Sequence, residues 1–385
     1  MVTATLLAII YVTFISLGLP DAVLGSAWPT MMVEMGAPVW GAGLLQMTVS
    51  LFTIISSLNS ARLIRAFGTG RLTAGSVALT AAALFGFSVA PGYLWLVLLA
   101  VPLGIGAGAV DAAINNYVAL HCEARHMNWL HCFWGVGTII GPMILTLCLS
   151  SGMNWKSGYR ALGALQVALS ITLFATLKLW QRSNVQEEEK SAKVLSVAQV
   201  LALRGAKPGL SMFLCYCGIE SSMLVWVPTF MVLTRGVSEV QAALCGSLFC
   251  IGMTFGRFVA GFLAMKMLPK KLVRLGAALM LAGFALMLVP VNAVIVAGVV
   301  MVGLGCAPVY PNVVQDTPVN YGAENSQAVI GVQMAFAYVG SMFMPTGFAW
   351  LAEITGFGFL PVFGLMVTGT MAALFNTMKR IVEKN

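Results

Sequence analysis

Apolar positions in this chain neither alternate nor recur at every third or fourth residue; they run on in long uninterrupted stretches. A helix needs about 20 apolar residues to cross a bilayer, and most of the runs reach or exceed that length. The pattern predicts twelve helices, near 4–28, 38–60, 72–90, 93–119, 130–150, 159–180, 208–233, 240–264, 272–290, 292–316, 327–350 and 357–378. We refer to these as spans 1 to 12. The expected fold class is an all-α membrane protein.

The order of short signatures repeats. Leu19-Pro20-Asp21 with Trp28-Pro29-Thr30 matches Gly218-Ile219-Glu220 with Val227-Pro228-Thr229 at an offset of 199 residues. Ser50-Leu51-Phe52 matches Ser247-Leu248-Phe249 at 197, Gly104-Ile105-Gly106 matches Gly303-Leu304-Gly305 at 199, and Gly141-Pro142 faces Met344-Pro345 at 203. Four matches in order at a nearly constant offset predict two six-helix bundles, over 1–180 and 208–385. Residues 181–207 then form a cytoplasmic linker. Its Glu187-Glu188-Glu189-Lys190 run marks a solvated segment. Six is an even number, so the two bundles are expected to insert with the same orientation.

Composition narrows the class further. Apolar residues make up 59% of the 385-residue chain and charged residues 9%, against roughly 25% charged in a soluble domain. A chain this poor in charge cannot cover a surface facing water. The net charge of +8 is a matter of topology. With both termini and the loops between spans 2–3, 4–5, 6–7, 8–9 and 10–11 on one side, that side holds every Lys and Arg except Lys156, Arg160 and Arg235. Basic loops stay in the cytoplasm, which predicts a multi-pass protein of a plasma (bacterial inner) membrane with both termini cytoplasmic. The first run lacks a basic n-region and an Ala-x-Ala site, so it reads as span 1 and not as a cleaved leader. No basic cluster interleaved with aromatics suggests nucleic acid. Seven of the eight cysteines fall inside spans and read as small packing residues, without a disulfide framework. The spacing of His121, His126 and His131 matches no metal motif. No nucleophile–base pair or phosphate loop suggests an enzyme.

Three acids break the apolar pattern: Asp21 in span 1, Asp111 in span 4 and Glu220 in span 7. A carboxylate in a membrane span costs about 2.5–3.5 kcal/mol by insertion scales, and by default marks an ion or solute pathway. No Lys or Arg is expected at comparable depth, so a proton is the simplest neutralising partner, with sodium as the alternative. Asp21, Asp111 and Glu220 are therefore the candidate proton-coupling residues. Pro20 and Pro29 should bend span 1 around a cavity, with Asp21, Gly25 and Trp28 on one face. Asp111 and Asn115 are four apart and share a helix face, with Gly104 and Gly108 on the same side. Candidate solute contacts in the first half are Gln46, Asn115, Asn116, Asn128, His131 and Trp134. In the second half they are Tyr310, Asn312, Gln333 and Tyr338. Each of these has packing as its alternative role.

Taken together, these residues resemble the major facilitator superfamily over essentially the whole chain. The short Gly/Arg segments at Arg62 to Arg71 and after Gly256-Arg257 fit its loop signature, although the family's loop Asp is missing in both halves. More narrowly, Asp21 with Pro29, Asp111-Ala-Ala-Ile-Asn115-Asn116-Tyr117, and Asn128 leading through Phe133 to Gly135 resemble the branch containing the fucose permease and related sugar–proton symporters. That resemblance implies the major facilitator fold, alternating access, Asp21 and Asp111 as coupling acids, and Asn128 beside the solute. No cofactor is expected beyond the coupling ion. The expected partners are a small polar solute and the lipid bilayer, and the expected oligomeric state is a monomer. Gly137-Thr-Ile-Ile-Gly141-Pro142 partly matches the span 5 motif of proton antiporters. Proton-driven export therefore stands as the second reading, and a membrane sensor or scaffold without transport as a third.

Overall fold

The computed structural model describes residues 2–38, 40–180 and 192–383. The acidic run at 187–190 lies outside them. Every regular element among the described residues is helical. In chain order they are α1 (Ala4–Asp21), α2 (Val23–Glu34), α3 (Gly41–Leu58), α4 (Ser60–Phe67), α5 (Thr69–Val89), α6 (Tyr93–His121), α7 (Ala124–Ser150), α8 (Trp155–Ala175) and α9 (Leu177–Trp180). They continue with α10 (Val197–Ala202), α11 (Ala206–Arg235), α12 (Glu239–Leu263), α13 (Pro269–Met287), α14 (Asn292–Cys306), α15 (Val309–Gln315), α16 (Thr317–Tyr321), α17 (Ala323–Thr355) and α18 (Leu360–Val382). Among the described residues, eleven helical segments are long and apolar enough to cross a membrane. The helix at span 9, α13, is not among them because Lys270, Lys271 and Arg274 crowd its start. Large apolar side chains such as Leu98, Leu147, Ile171, Phe255 and Trp350 lie exposed, as expected of helices that face lipid tails.

Contacts gather the chain into two compact units. One comprises Met1–Cys122, Leu130–Leu195 and Ala323–Met334; the other comprises Glu123–Trp129, Ser196–Gly322 and Ala335–Asn385. Within the first, α6 packs against α3 and α5, and α5 packs against α8. Within the second, α14 packs against α12 and α13, and α13 packs against α18.

Repeat-related glycines make the same close approaches in each unit. A Cβ on Gly104 would strike the Val49 carbonyl, and one on Gly303 the Phe249 carbonyl. Gly106 and Gly305 press on the carbonyls of Ser76 and Gly276 in the same way, and Gly137 and Gly340 on those of Ile15 and Leu214. Small residues let membrane helices come this close, and hydroxyl groups then bridge them. Thr53 Oγ1 donates to the Gly104 carbonyl at 3.1 Å, and Ser56 Oγ to the Ile105 carbonyl at 2.7 Å.

The structure departs from the pattern reading in four places. Span 1 is not one bent helix: α1 ends at Asp21 and α2 starts at Val23. The break follows Pro20, whereas Pro29 is accommodated inside α2. Trp28 packs into the core against Tyr93, with ring centroids 6.1 Å apart. Span 10 divides at Ala307-Pro308, where prolines 308 and 311 remove two backbone donors. Residues 60–67, expected as loop, form the short amphipathic helix α4. It buries Ser60, Ala61 and Ile64 and leaves Arg62 and Arg65 exposed. Finally, Arg257 lies inside α12 with 2% of its surface exposed. The expectation that no cation lies at the depth of the acids is therefore wrong for the second half of the chain.

Candidate functional site

The break after Asp21 has a local cause. Proline has no N–H, so Pro20 cannot bond the carbonyl of Ser16 one turn earlier. Gln166 of α8 supplies the missing donor: its Nε2 reaches the Ser16 carbonyl at 2.7 Å. In return, Ser16 Oγ donates to Gln166 Oε1 at 2.7 Å, and Thr80 of α5 reaches the same oxygen at 3.4 Å. The side chains of this cluster are buried. It joins α1, α5 and α8 one turn below Asp21.

Asp21 itself is accessible. Trp134 Nε1 in α7 donates to its Oδ2 at 2.9 Å. Its Oδ1 makes no hydrogen bond among the described residues. Asp21 and Gln46 both line a cavity inside the first unit, with Thr13, Thr80, Tyr159 and Gln166 also contributing.

Asp111 is buried in α6. Asn115 Nδ2 donates to its Oδ1 at 2.8 Å and to its main-chain carbonyl at 3.0 Å. A carbonyl only accepts, so this fixes the amide's orientation and leaves Asn115 Oδ1 as an acceptor. His131 Nε2 lies 3.0 Å from that oxygen, so Nε2 carries a hydrogen. The result is a buried chain His131–Asn115–Asp111 that joins α7 to α6. The His131 ring rests edge-on against Phe14, with centroids 5.4 Å apart. Asp21 is within electrostatic reach of Asp111. Neither acid forms an ion pair among the described residues.

In the second unit, Glu220 of α11 does have a cation. Arg257 Nη2 lies 3.4 Å from Glu220 Oε1, with side-chain exposures of 2% and 13%. The Tyr216 hydroxyl is shared between Glu220 Oε2 and the Cys306 carbonyl, the latter at 2.9 Å. Tyr310 lies beside this pair, its ring 4.8 Å from Phe213 and 6.4 Å from Tyr216. Asn128 and Asn312 are fully buried and donate to each other, at 3.4 and 3.1 Å. Each also donates to a main-chain carbonyl of its own helix region, Ala124 and Pro308 respectively. In the first unit, Asn116 Oδ1 accepts from Ser326 Oγ at 2.6 Å. Gln333 is buried and Tyr338 half-buried, both in α17.

The structure thus gathers two of the three acids, with Gln46, Asn115, His131 and Trp134, into the first unit. It sets Glu220 in an ion pair beside Tyr310, and engages Asn116, Asn128 and Asn312 in contacts between helices. Gln166, Tyr159, Tyr216 and Arg257 had no place among the residues expected from the sequence. Gln166 carried a readable signal, as a lone amide in the apolar run of α8, and Arg257 carried another, as a cation inside a predicted span.

The family follows from comparison with known proteins. The sequence profile of the Major Facilitator Superfamily matches residues 10–345, and the chain belongs to that family. An uncharacterized MFS-type transporter from Yersinia pestis is 26% identical over 265 residues, 66% of this chain and 64% of that protein. The glucose/mannose transporter GlcP of Bacillus subtilis is 20% identical over 47% of this chain and 46% of its own length. The matches therefore span less than two thirds of either relative. Among solved structures, the fold superposes on the Escherichia coli fucose:proton symporter FucP with a TM-score of 0.78, 15% identity, and coverage of 98% and 99% of the two chains. The proton:xylose symporter XylE matches with a TM-score of 0.79 at 13% identity, over 98% of this chain and 95% of that one. These likenesses establish the fold: a multi-pass membrane protein of major facilitator architecture.

Proposed function

We propose that this transporter moves a sugar or similar small polar solute together with a proton, by alternating access, in a bacterial inner membrane. The observation that carries the reading is the pair of carboxyls in the first unit, Asp21 and Asp111. Both lie within membrane helices, neither has an ion pair among the described residues, and each is held by one amide or indole donor. A carboxyl at that depth without a cation is neutralised most simply by a proton. A carboxyl with one oxygen still open can also accept a hydrogen bond from a solute hydroxyl. Asn115, His131, Gln46 and Trp134 then offer the mixed donors, acceptors and aromatic surface that a hydroxylated solute needs. Glu220, tied to Arg257, is the weaker candidate for coupling. Gly137 and Gly141, which suggested export, are accounted for by close packing on the Ile15 and Leu19 carbonyls.

Proteoliposomes test the reading. D-glucose, D-xylose and L-fucose are chosen as probes because neighbouring proteins are named for such sugars. With the outside acidic, symport accumulates the recognised sugar, and collapse of the gradient releases it. Outward pumping under the same gradient would establish export instead. Accumulation that follows a sodium gradient and ignores pH would replace the proton with sodium.

A further inference from the structure

The cavity in the first unit holds an unexplained polar group. It has an internal volume of about 50 Å³ and lies among α1, α2, α3, α5, α6 and α8. Tyr159 lines it with only 2% of its surface exposed. The ring packs on Phe87 and Trp155, with centroids 5.4 and 5.8 Å away. Its hydroxyl, however, has no hydrogen-bond partner among the described residues. Buried tyrosine hydroxyls ordinarily find one. The Gln46 amide and Asp21 Oδ1, on the same cavity, also lack a protein partner among the described residues, but both residues are exposed, so they mark the side on which the cavity opens. The cavity also touches Thr80, whose hydroxyl oxygen can accept a further bond.

An apolar cavity stays dry, whereas a cavity with two to four polar partners per molecule and at least about 10–15 Å³ for each holds water. This one meets both conditions for a few water molecules. We propose that it is a hydrated side chamber, in which water bridges the Tyr159 hydroxyl and the Gln46 amide to Asp21 and carries Asp21's proton to and from that carboxyl. The proposal rests on Asp21 being the coupling acid. No bond other than O–H is made or broken: a water next to Asp21 gives up one proton to the carboxylate and regains one from the next water. The groups that face Asp21 are Trp134, which donates to the other carboxylate oxygen, and Asp111, which lies within electrostatic reach of it.

Two experiments on the full-length protein in detergent test this without knowledge of the solute. X-ray radiolysis generates hydroxyl radicals from bound water, so a hydrated chamber labels Tyr159 despite its burial. Ala107→Leu, which fills the cavity from α6, should reduce that labelling severalfold. An unlabelled Tyr159 in the unaltered protein means a dry cavity and overturns the proposal. In the second experiment, pH-jump infrared spectroscopy follows the carboxyl band of Asp21, assigned by its loss in Asp21→Asn. Tyr159→Phe keeps the ring and removes the hydroxyl. It should slow the band's response about tenfold, the scale of one hydrogen bond lost from a relay, and Ala107→Leu should slow it likewise. Unchanged rates in both variants overturn the chamber and leave Asp21 as the coupling acid. A carboxyl band that never titrates removes Asp21 from coupling, and the chamber's role with it.

Discussion

Gln166 Nε2 donates to the main-chain carbonyl of Ser16 at 2.7 Å, the very carbonyl that Pro20 leaves without its helical partner. A defect in α1 is thus repaired from α8, and the helix breaks beside Asp21 without leaving a buried polar group exposed to an apolar interior. The repair fixes Asp21 at the edge of the cavity while the chain changes direction.

Gln166→Leu should therefore destabilise the protein by about 1–3 kcal/mol, the cost of stranding buried polar groups. Pro20→Ala restores the backbone donor, so Gln166→Leu should cost less in a Pro20→Ala background. Thermal unfolding of the two single variants and the double variant in one detergent measures that coupling. Strictly additive losses would show that the two residues act independently.

Glu220 and Arg257 form a buried charge pair in the second unit, 3.4 Å apart. Removing one member of such a pair costs about 3–5 kcal/mol, because the other charge is left in a low dielectric, whereas replacing both is often neutral. Arg257→Met should lower the unfolding temperature sharply, and Glu220→Gln added to it should recover most of the loss. If the double variant is as unstable as the single, the pair is not what holds α11 to α12.

The repeat carries its own prediction. Gly104 and Gly303 each sit where a Cβ would meet a carbonyl of the neighbouring helix. Adding a methyl group to a packed interface costs about 1–3 kcal/mol. Gly104→Ala and Gly303→Ala should be destabilising to a similar degree by chemical denaturation in detergent. Gly25→Ala, with open space around it, serves as the tolerant control.

Each feature is legible in the sequence only as far as it leaves a local physical signal. Spans are long apolar runs, so their existence was legible, as was the repeat, because close helix packing imprints glycines at fixed offsets. Asp21 and Asp111 stood out because charge is rare in such runs. The Asp111–Asn115 contact followed from helical spacing alone. Contacts between distant segments leave no such trace. Trp134 lies 113 positions from Asp21 and Gln166 lies 150 from Ser16, and only the fold brings each pair together. Arg257 was visible as a cation inside span 8, but beside the basic residues at 266–274 it reads as another cytoplasmic anchor, and only the fold shows the carboxylate at position 220 that holds it inside α12. Prolines 20 and 29 gave equal reason to bend span 1, and the helix breaks only after Pro20, because proline shows where a bond is lost and not how the surrounding helices respond.

Coupling is tested most directly by proton movement at Asp111. Adding a recognised sugar to lightly buffered, de-energised proteoliposomes should make the external medium more alkaline as the sugar enters with a proton. Asp111→Asn should abolish that pH change, while exchange of sugar across the membrane persists in part. An Asp111→Asn protein that still alkalinises the medium as the unaltered protein does would contradict the coupling assignment.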